Sequence, residues 1–230
     1  METKLSIREM EQIKAELGFP SMLAVSYESW KGGLALLLKE DVIVDTNSYL
    51  PNHIDVRIHM QASLLWRLTG IYDHPEEQRK TETWRLMRQL HARASLPWIC
   101  LGNFNEILAS DKKNGGVRRP MAPILEFRHT LLHCNLVDLG FNGYRFTWRN
   151  GRDEEVLVEE RLDRAVTTTE WKEMFPRAKV SYLFASYFDY DPILIDIAPL
   201  NLPQCQRRKI QRFEENWITH TECKSIIRNS

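Results

Sequence analysis

Three polar clusters in this sequence hold side chains able to act on an anionic substrate. The first, Leu101-Gly102-Asn103-Phe104-Asn105-Glu106, follows the apolar run Leu96-Pro97-Trp98-Ile99-Cys100-Leu101. A buried strand running into a tight glycine turn is where an α/β sheet presents polar groups to a ligand, so Asn103 and Asn105 are expected to face one cleft. The second is Asp163, within Glu160-Arg161-Leu162-Asp163-Arg164, and the third is Asp189-Tyr190, ahead of Asp191-Pro192. Each also has a plainer reading. Asparagine tolerates left-handed backbone and serves turns, Asp163 can form a surface ion pair with Arg161 or Arg164, and the third cluster can be a turn before a strand.

Other candidates are thinner. The loop Lys112-Lys113-Asn114-Gly115-Gly116-Val117-Arg118-Arg119 joins glycine flexibility to four cations, Lys112, Lys113, Arg118 and Arg119, which suits either a DNA backbone or plain solvation. His129 and His133 stand four apart on a predicted helix, but no Glu follows the first, so the zinc-protease pattern fails. The remaining Trp and Phe positions read as core. Trp148 alone is a candidate to approach substrate.

The elements that would position these groups follow from periodicity. Ser6-Ile7-Arg8-Glu9 fits a capping box, and Ile7, Met10, Ile13 and Leu17 repeat at helical spacing up to Gly18, which predicts a helix over 7–17. Strands are predicted at 22–27, 34–38, 41–45, 53–59 and 66–72, then a helix over 76–93. The pattern resumes with a strand at 97–101, a polar loop at 111–119 and a helix over 124–134. Short strands are expected around Val137, Phe146 and Val156, a helix over 168–175, and strands at 178–184 and 193–197. Many short strands with flanking helices indicate an α/β protein of two packed sheets covered by helices.

Composition narrows the class. The 230 residues are 43% hydrophobic, enough for a substantial core. Thirty-one Lys plus Arg balance 31 Asp plus Glu, so no global charge draws the chain to a polyanion and any such site is local. Cys100, Cys134, Cys205 and Cys223 show no paired spacing and read as reduced, buried thiols, which favours an intracellular location. No apolar run approaches the roughly 20 residues needed to cross a bilayer, and no leader-like segment follows Met1.

Five ordered stretches carry a resemblance. They are Trp66-Arg67-Leu68-Thr69-Gly70-Ile71-Tyr72-Asp73-His74-Pro75, the segment from Leu96 to Glu106, Phe146-Thr147-Trp148, Glu160-Arg161-Leu162-Asp163-Arg164, and Phe188-Asp189-Tyr190-Asp191-Pro192-Ile193. In order and type they resemble the endonuclease domain of plant non-LTR, LINE-type retrotransposons, in the exonuclease-endonuclease-phosphatase superfamily. The resemblance extends to the first helix and to 213–217, which is similar to the connector leading to a reverse transcriptase. It implies a DNase I-like two-sheet sandwich over 1–200 and a linker over 201–230, acting on DNA in the nucleus.

That resemblance also implies roles. Glu2 matches the glutamate that binds Mg²⁺, Asn105 the asparagine that orients the phosphate and the nucleophile, and Tyr72 a tyrosine that donates to a phosphate oxygen. Asn103 stands where the family has the aspartate that activates water; general-base help of that kind is worth about 10² to 10⁴ in rate. Tyr190 stands where the family has a histidine paired with the aspartate matched by Asp163, and Asp189 keeps its place. Family members begin with a strand and a helix ahead of the Met1-Glu2-Thr3-Lys4 stretch, so the sandwich is expected to lack its first strands, as from a frame opened at an internal methionine. The reading is a Mg²⁺-dependent phosphodiesterase domain that is weak or inactive in this copy. Its rivals are a non-enzymatic remnant that binds DNA or protein, and a decaying element that makes no stable product.

Overall fold

The computed structural model describes residues 2–3 (backbone only), 5–25, 33–60, 64–73, 76, 79–93, 95–150, 157–183 and 192–197. A two-residue strand, β1 (Glu2–Thr3), precedes α1 (Ile7–Glu16). The capping box starts this helix as expected: Glu9 N donates to Ser6 Oγ at 3.3 Å, and Ser6 N donates to Glu9 Oε2 at 2.7 Å. Next, β2 (Ser21–Val25) and β3 (Gly33–Leu38) pair antiparallel, with β1 on the other side of β3. An antiparallel meander of β4 (Ile43–Leu50), β5 (His53–Met60) and β6 (Leu64–Tyr72) follows, and α2 (Lys80–Arg93) carries the chain across to β7 (Trp98–Asn103), parallel to β6.

The second half adds β8 (Lys113–Asn114), α3 (Met121–His133), β9 (Val137–Asp138), β10 (Trp148–Asn150), β11 (Val158–Glu160) and β12 (Asp163–Thr167). It closes with α4 (Thr169–Met174) and the antiparallel pair β13 (Lys179–Tyr182) and β14 (Ile193–Asp196). The main sheet has the order β4-β5-β6-β7-β12-β9, and the smaller sheets are β1-β3-β2, β13-β14 and β10-β11-β8.

Alternation along the strands gives the main sheet two different faces. Trp98, Cys100, Ile71 and Val166 join Trp84, Met87 and Leu90 of α2 and Phe127 and Leu131 of α3 in one core. Ile99, Ala165, Ile54 and Trp66 point the other way and meet Leu34, Val180 and Tyr182 of the small sheets with Trp171 and Phe175 of the α4 region. This is the expected sandwich flanked by helices. Among the described residues no helix is long and apolar enough to cross a membrane.

The helical face also contains charge. Asp55 on β5 is 1% exposed and accepts from Arg67 Nε (2.7 Å), Arg67 Nη2 (3.0 Å) and Thr69 Oγ1 (2.6 Å), while Arg67 Nη1 donates to Leu90 O (2.7 Å). A buried pair survives only when its remaining polar atoms are satisfied as these are. The alternation of 53–59 is therefore real, but its polar side is not a solvent side.

Four sequence expectations shift. The strand predicted at 41–45 runs from Ile43 to Leu50, where it pairs along the full length of β5. Phe146 lies outside a strand and β10 starts at Trp148; ahead of it Thr147 N donates to Glu160 O, and its hydroxyl accepts from Leu162 N and Asp163 N. The strand expected around Val156 is β11, and Val156 itself lies outside the described residues. β12 was not expected as a strand at all, although every one of its residues is buried.

Candidate functional site

Register brings the site together. Tyr72 is the Cα partner of Asn103 across the parallel β6–β7 pairing, and Asn103 is the partner of Asp163 across the antiparallel β7–β12 pairing. Side chains directly opposite one another in a sheet share a face, so Tyr72, Asn103 and Asp163 form one row. That row ends three adjacent strands, on the face turned toward the small sheets. It joins residues 31 and 60 positions apart in sequence, counting from 72 to 103 and from 103 to 163.

Gly102 makes the row possible. Its φ is 137°, and a Cβ there would lie 2.0 Å from Ile71 O, so no other residue allows β6 this close to β7. The glycine thus belongs to the strand and not, as expected, to a turn. The turn lies one step later. Asn105 has φ 46°, a left-handed conformation that asparagine tolerates, and its N–H donates to Asn103 Oδ1 at 2.7 Å.

A backbone N–H only donates, so this bond fixes the Asn103 amide: Oδ1 faces the turn and the NH₂ group faces away from it. Asn103 is 7% exposed, and its Nδ2 has no partner among the described residues yet is not closed off from solvent. Asn105 Nδ2 in turn donates to Asp73 O. The turn reading of Asn103 and Asn105 thus holds, with Asn103 Oδ1 and the Asn105 N–H forming the turn bond.

The main chain around this turn rests on buried ion pairs. Lys80 Nζ, at the start of α2, donates to Asn105 O and to Glu106 Oε2, both at 2.7 Å. Arg119 Nη1 donates to Asn105 O at 3.1 Å and lies 3.6 Å from Glu106 Oε1. Arg119 also pairs with Glu160, which Lys113 engages as well. Burial pushes the Glu160 carboxyl up, but hydrogen bonds from Arg119 and Lys113 outweigh it and leave that group below its ordinary value.

Asp163 is 8% exposed, so it is not the surface group that its flanking arginines suggest. Arg161 and Arg164 both turn to Asp138, at 2.9 and 3.2 Å. The Asp163 backbone is held instead: its N–H donates to Thr147 Oγ1 (2.9 Å) and its carbonyl accepts from Tyr182 Oη (3.0 Å). Burial raises the Tyr182 phenol above its usual range, which keeps it a neutral donor. The Phe-Thr-Trp stretch thus serves the site through Thr147; Trp148 is half-buried against Ile107, Ile124 and Leu162.

Of the four loop cations, Lys112 pairs with Asp111 at 2.6 Å, and Lys113 and Arg119 pair with Glu160. Arg118 is exposed and has no ion pair among the described residues. His129 and His133 are exposed on α3 as expected, and the thiols of Cys100 and Cys134 are free and buried, with burial raising Cys134 to about 11. The sequence reading missed Lys80, Asp138 and Tyr182, whose types and neighbours gave no signal, and Glu106, which it quoted without a role. Asp189, Tyr190 and the segment 201–230 lie outside the described residues, as does the Glu2 side chain; the Glu2 backbone pairs with Leu34.

The described side chains do not by themselves suit a divalent cation. Hard cations take oxygen ligands, carboxylates foremost, whereas the row offers a single carboxylate, Asp163, beside the outward NH₂ of Asn103. Among the described residues no three His, Cys, Asp or Glu side chains group to hold a metal ion.

No protein-family model matches the chain, and no curated protein is significantly similar to it. Solved structures do share its architecture, which is the DNase I-like fold of endonuclease/exonuclease/phosphatase proteins. The endonuclease domain of TRAS1, a telomere-specific non-LTR retrotransposon, superposes with a TM-score of 0.59 at 16% identity, covering 86% of this chain and 94% of that one. TDP2 of D. rerio, complexed with a single-strand DNA product, gives 0.55 at 13% identity, over 82% of this chain and 81% of that one. An endonuclease/exonuclease/phosphatase family protein from Bacteroides thetaiotaomicron gives 0.51 at 15% identity, over 82% and 79%.

Proposed function

We infer that this chain is an endonuclease-type domain of retrotransposon origin whose hydrolysis of DNA phosphodiesters is lost or severely reduced. The observation that carries this is the orientation of Asn103. Its oxygen is committed to the Asn105 N–H, so the group it turns to a substrate is an NH₂, which donates and cannot take a proton from water. An aspartate in this position would make the same turn bond with one oxygen and offer a basic oxygen with the other.

The surviving groups fit binding better than chemistry. Tyr72 and Asn105 are the phosphate-facing donors in this reading, and Asp163 stays on the row without the histidine that resemblance pairs with it, since Tyr190 is a neutral phenol at pH 7. Magnesium enters by resemblance only, with Glu2 as its carboxylate. DNA as substrate is supported by the TRAS1 endonuclease and by the DNA product bound to TDP2.

The test is plasmid nicking in Mg²⁺. The chain is expected to leave supercoiled plasmid intact, while the double variant Asn103→Asp, Tyr190→His restores measurable nicking. Turnover by the unaltered chain that Asn105→Ala abolishes would overturn the assignment.

A further inference from the structure

The helical face of the main sheet, at the end of β7 opposite the site row, holds a second pair of coordinating side chains. We propose that His91 and His133 form a cross-helix site for a transition-metal ion of the class of Zn²⁺, Ni²⁺ and Cu²⁺, which ties α2 to α3. The inference is independent of the proposed function, because neither residue belongs to the row and imidazole selects these ions over Mg²⁺.

The placement follows from how the two helices pack. Trp84 stacks on Phe127, Arg88 bonds to Thr130 and His91 meets His133, so α2 and α3 run parallel and their C-terminal ends come together. His91 stands in the last turn of α2, and His133 is the last residue of α3. Helix C-termini carry partial negative charge on their unpaired carbonyls, so this is a place that favours a cation.

The rings themselves are near a chelating arrangement. Their centroids lie 6.1 Å apart with the planes at 68°, and among the described residues neither ring has a hydrogen-bond partner to compete for its lone pair. Two imidazoles that share a tetrahedral ion, each nitrogen about 2.0–2.1 Å from it, have centroids about 5 Å apart. The remaining closure is small. His91 is held flat against Trp98 at 6.2 Å and 19°, so its plane is set before an ion arrives, while exposed His133 is free to turn toward it. Arg88, one turn before His91, is committed to Thr130 at 2.8 Å. No third His, Cys, Asp or Glu joins the pair among the described residues, so water completes the ion's coordination. His129, one turn earlier on α3, makes no ring contact with His133 among the described residues, which points to the pair across helices and not to one along α3.

The test is calorimetric titration of the untagged full chain, stripped with EDTA and exchanged into buffer, with Ni²⁺ and separately with Zn²⁺. About one equivalent is expected to bind, and equimolar Mg²⁺ should not compete. Losing a ligand should cost no less than losing a ligand's support, so His133→Ala and His91→Phe should each weaken binding about tenfold or more. His91→Phe keeps an aromatic ring on Trp98, which separates lost coordination from lost packing. His129→Ala should bind like the unaltered chain. The melting temperature of the unaltered chain should rise with Ni²⁺ concentration, and that of His133→Ala should not.

An unaltered chain that takes up neither ion at millimolar concentration would overturn the proposal, as would undiminished binding by His91→Phe. Binding that survives His91→Phe but fails in His129→Ala would assign the ion to one face of α3 and overturn the cross-helix site. Plasmid nicking in Mg²⁺ is read separately, so neither result bears on the proposed function.

Discussion

The two faces of the main sheet are built to different standards. On the helical face, Trp84, Met87, Leu90 and Phe127 are all 0% exposed, and α2 and α3 run side by side with Trp84 stacked on Phe127 at 4.6 Å and Arg88 bonded to Thr130 at 2.8 Å. On the opposite face the cover is the α4 region with two small sheets that do not pair with each other among the described residues, and Leu36, Leu68 and Leu101 remain half-buried around a gap of about 70 Å³ between β3 and the main sheet. Two helices lying in register exclude water along their length, whereas separate strands of two to six residues leave seams. The site row opens on the looser face, but the turn that orients it is tied to the tighter side through Lys80 of α2. Stability and ligand access are thereby divided between the faces.

Substitutions can break or sharpen that division. The largest effect is expected from Trp84→Ala, which empties the helical core and should cost about 3–5 kcal/mol, read as a lower urea midpoint at unchanged slope. On the other face, Leu36→Ala should cost about 1–2 kcal/mol, because a half-buried side chain has less to lose and more room to relax. Equal losses from the two would dissolve the contrast. The smallest change should be a gain: Gly70 lines the gap, and an added Cβ would meet only Ile54 O at 3.9 Å. Gly70→Ala is therefore expected to stabilise by about 0.4–1 kcal/mol through the unfolded chain. A measured loss there would show that the gap cannot take a Cβ.

Much of this was legible in advance because it is local. The α1 capping box, the alternation of 53–59 and the apolar run from Leu96 to Leu101 are short-range patterns, and each became the helix or strand expected of it, with the turn one step later than Gly102. β12 was not legible, because Asp163-Arg164-Ala165-Val166-Thr167 lacks the apolar period that marks a strand. Its Arg164 is buried against Asp138, and Thr147 and Tyr182 arrive from elsewhere to hold the Asp163 main chain. The basic loop shows the same limit in reverse: four cations read alike in sequence, and three of them pair with Asp111 or Glu160 once the chain is folded.

The sequence alone determined which side chains were available for chemistry, including an amide in place of a basic carboxylate at 103, since side-chain identity is covalent and needs no partner. Tertiary structure decided what that amide does. Strand register set Asn103 between Tyr72 and Asp163, and a single main-chain N–H chose which end of the amide meets solvent, because a hydrogen bond is directional and exists only when both groups are brought together.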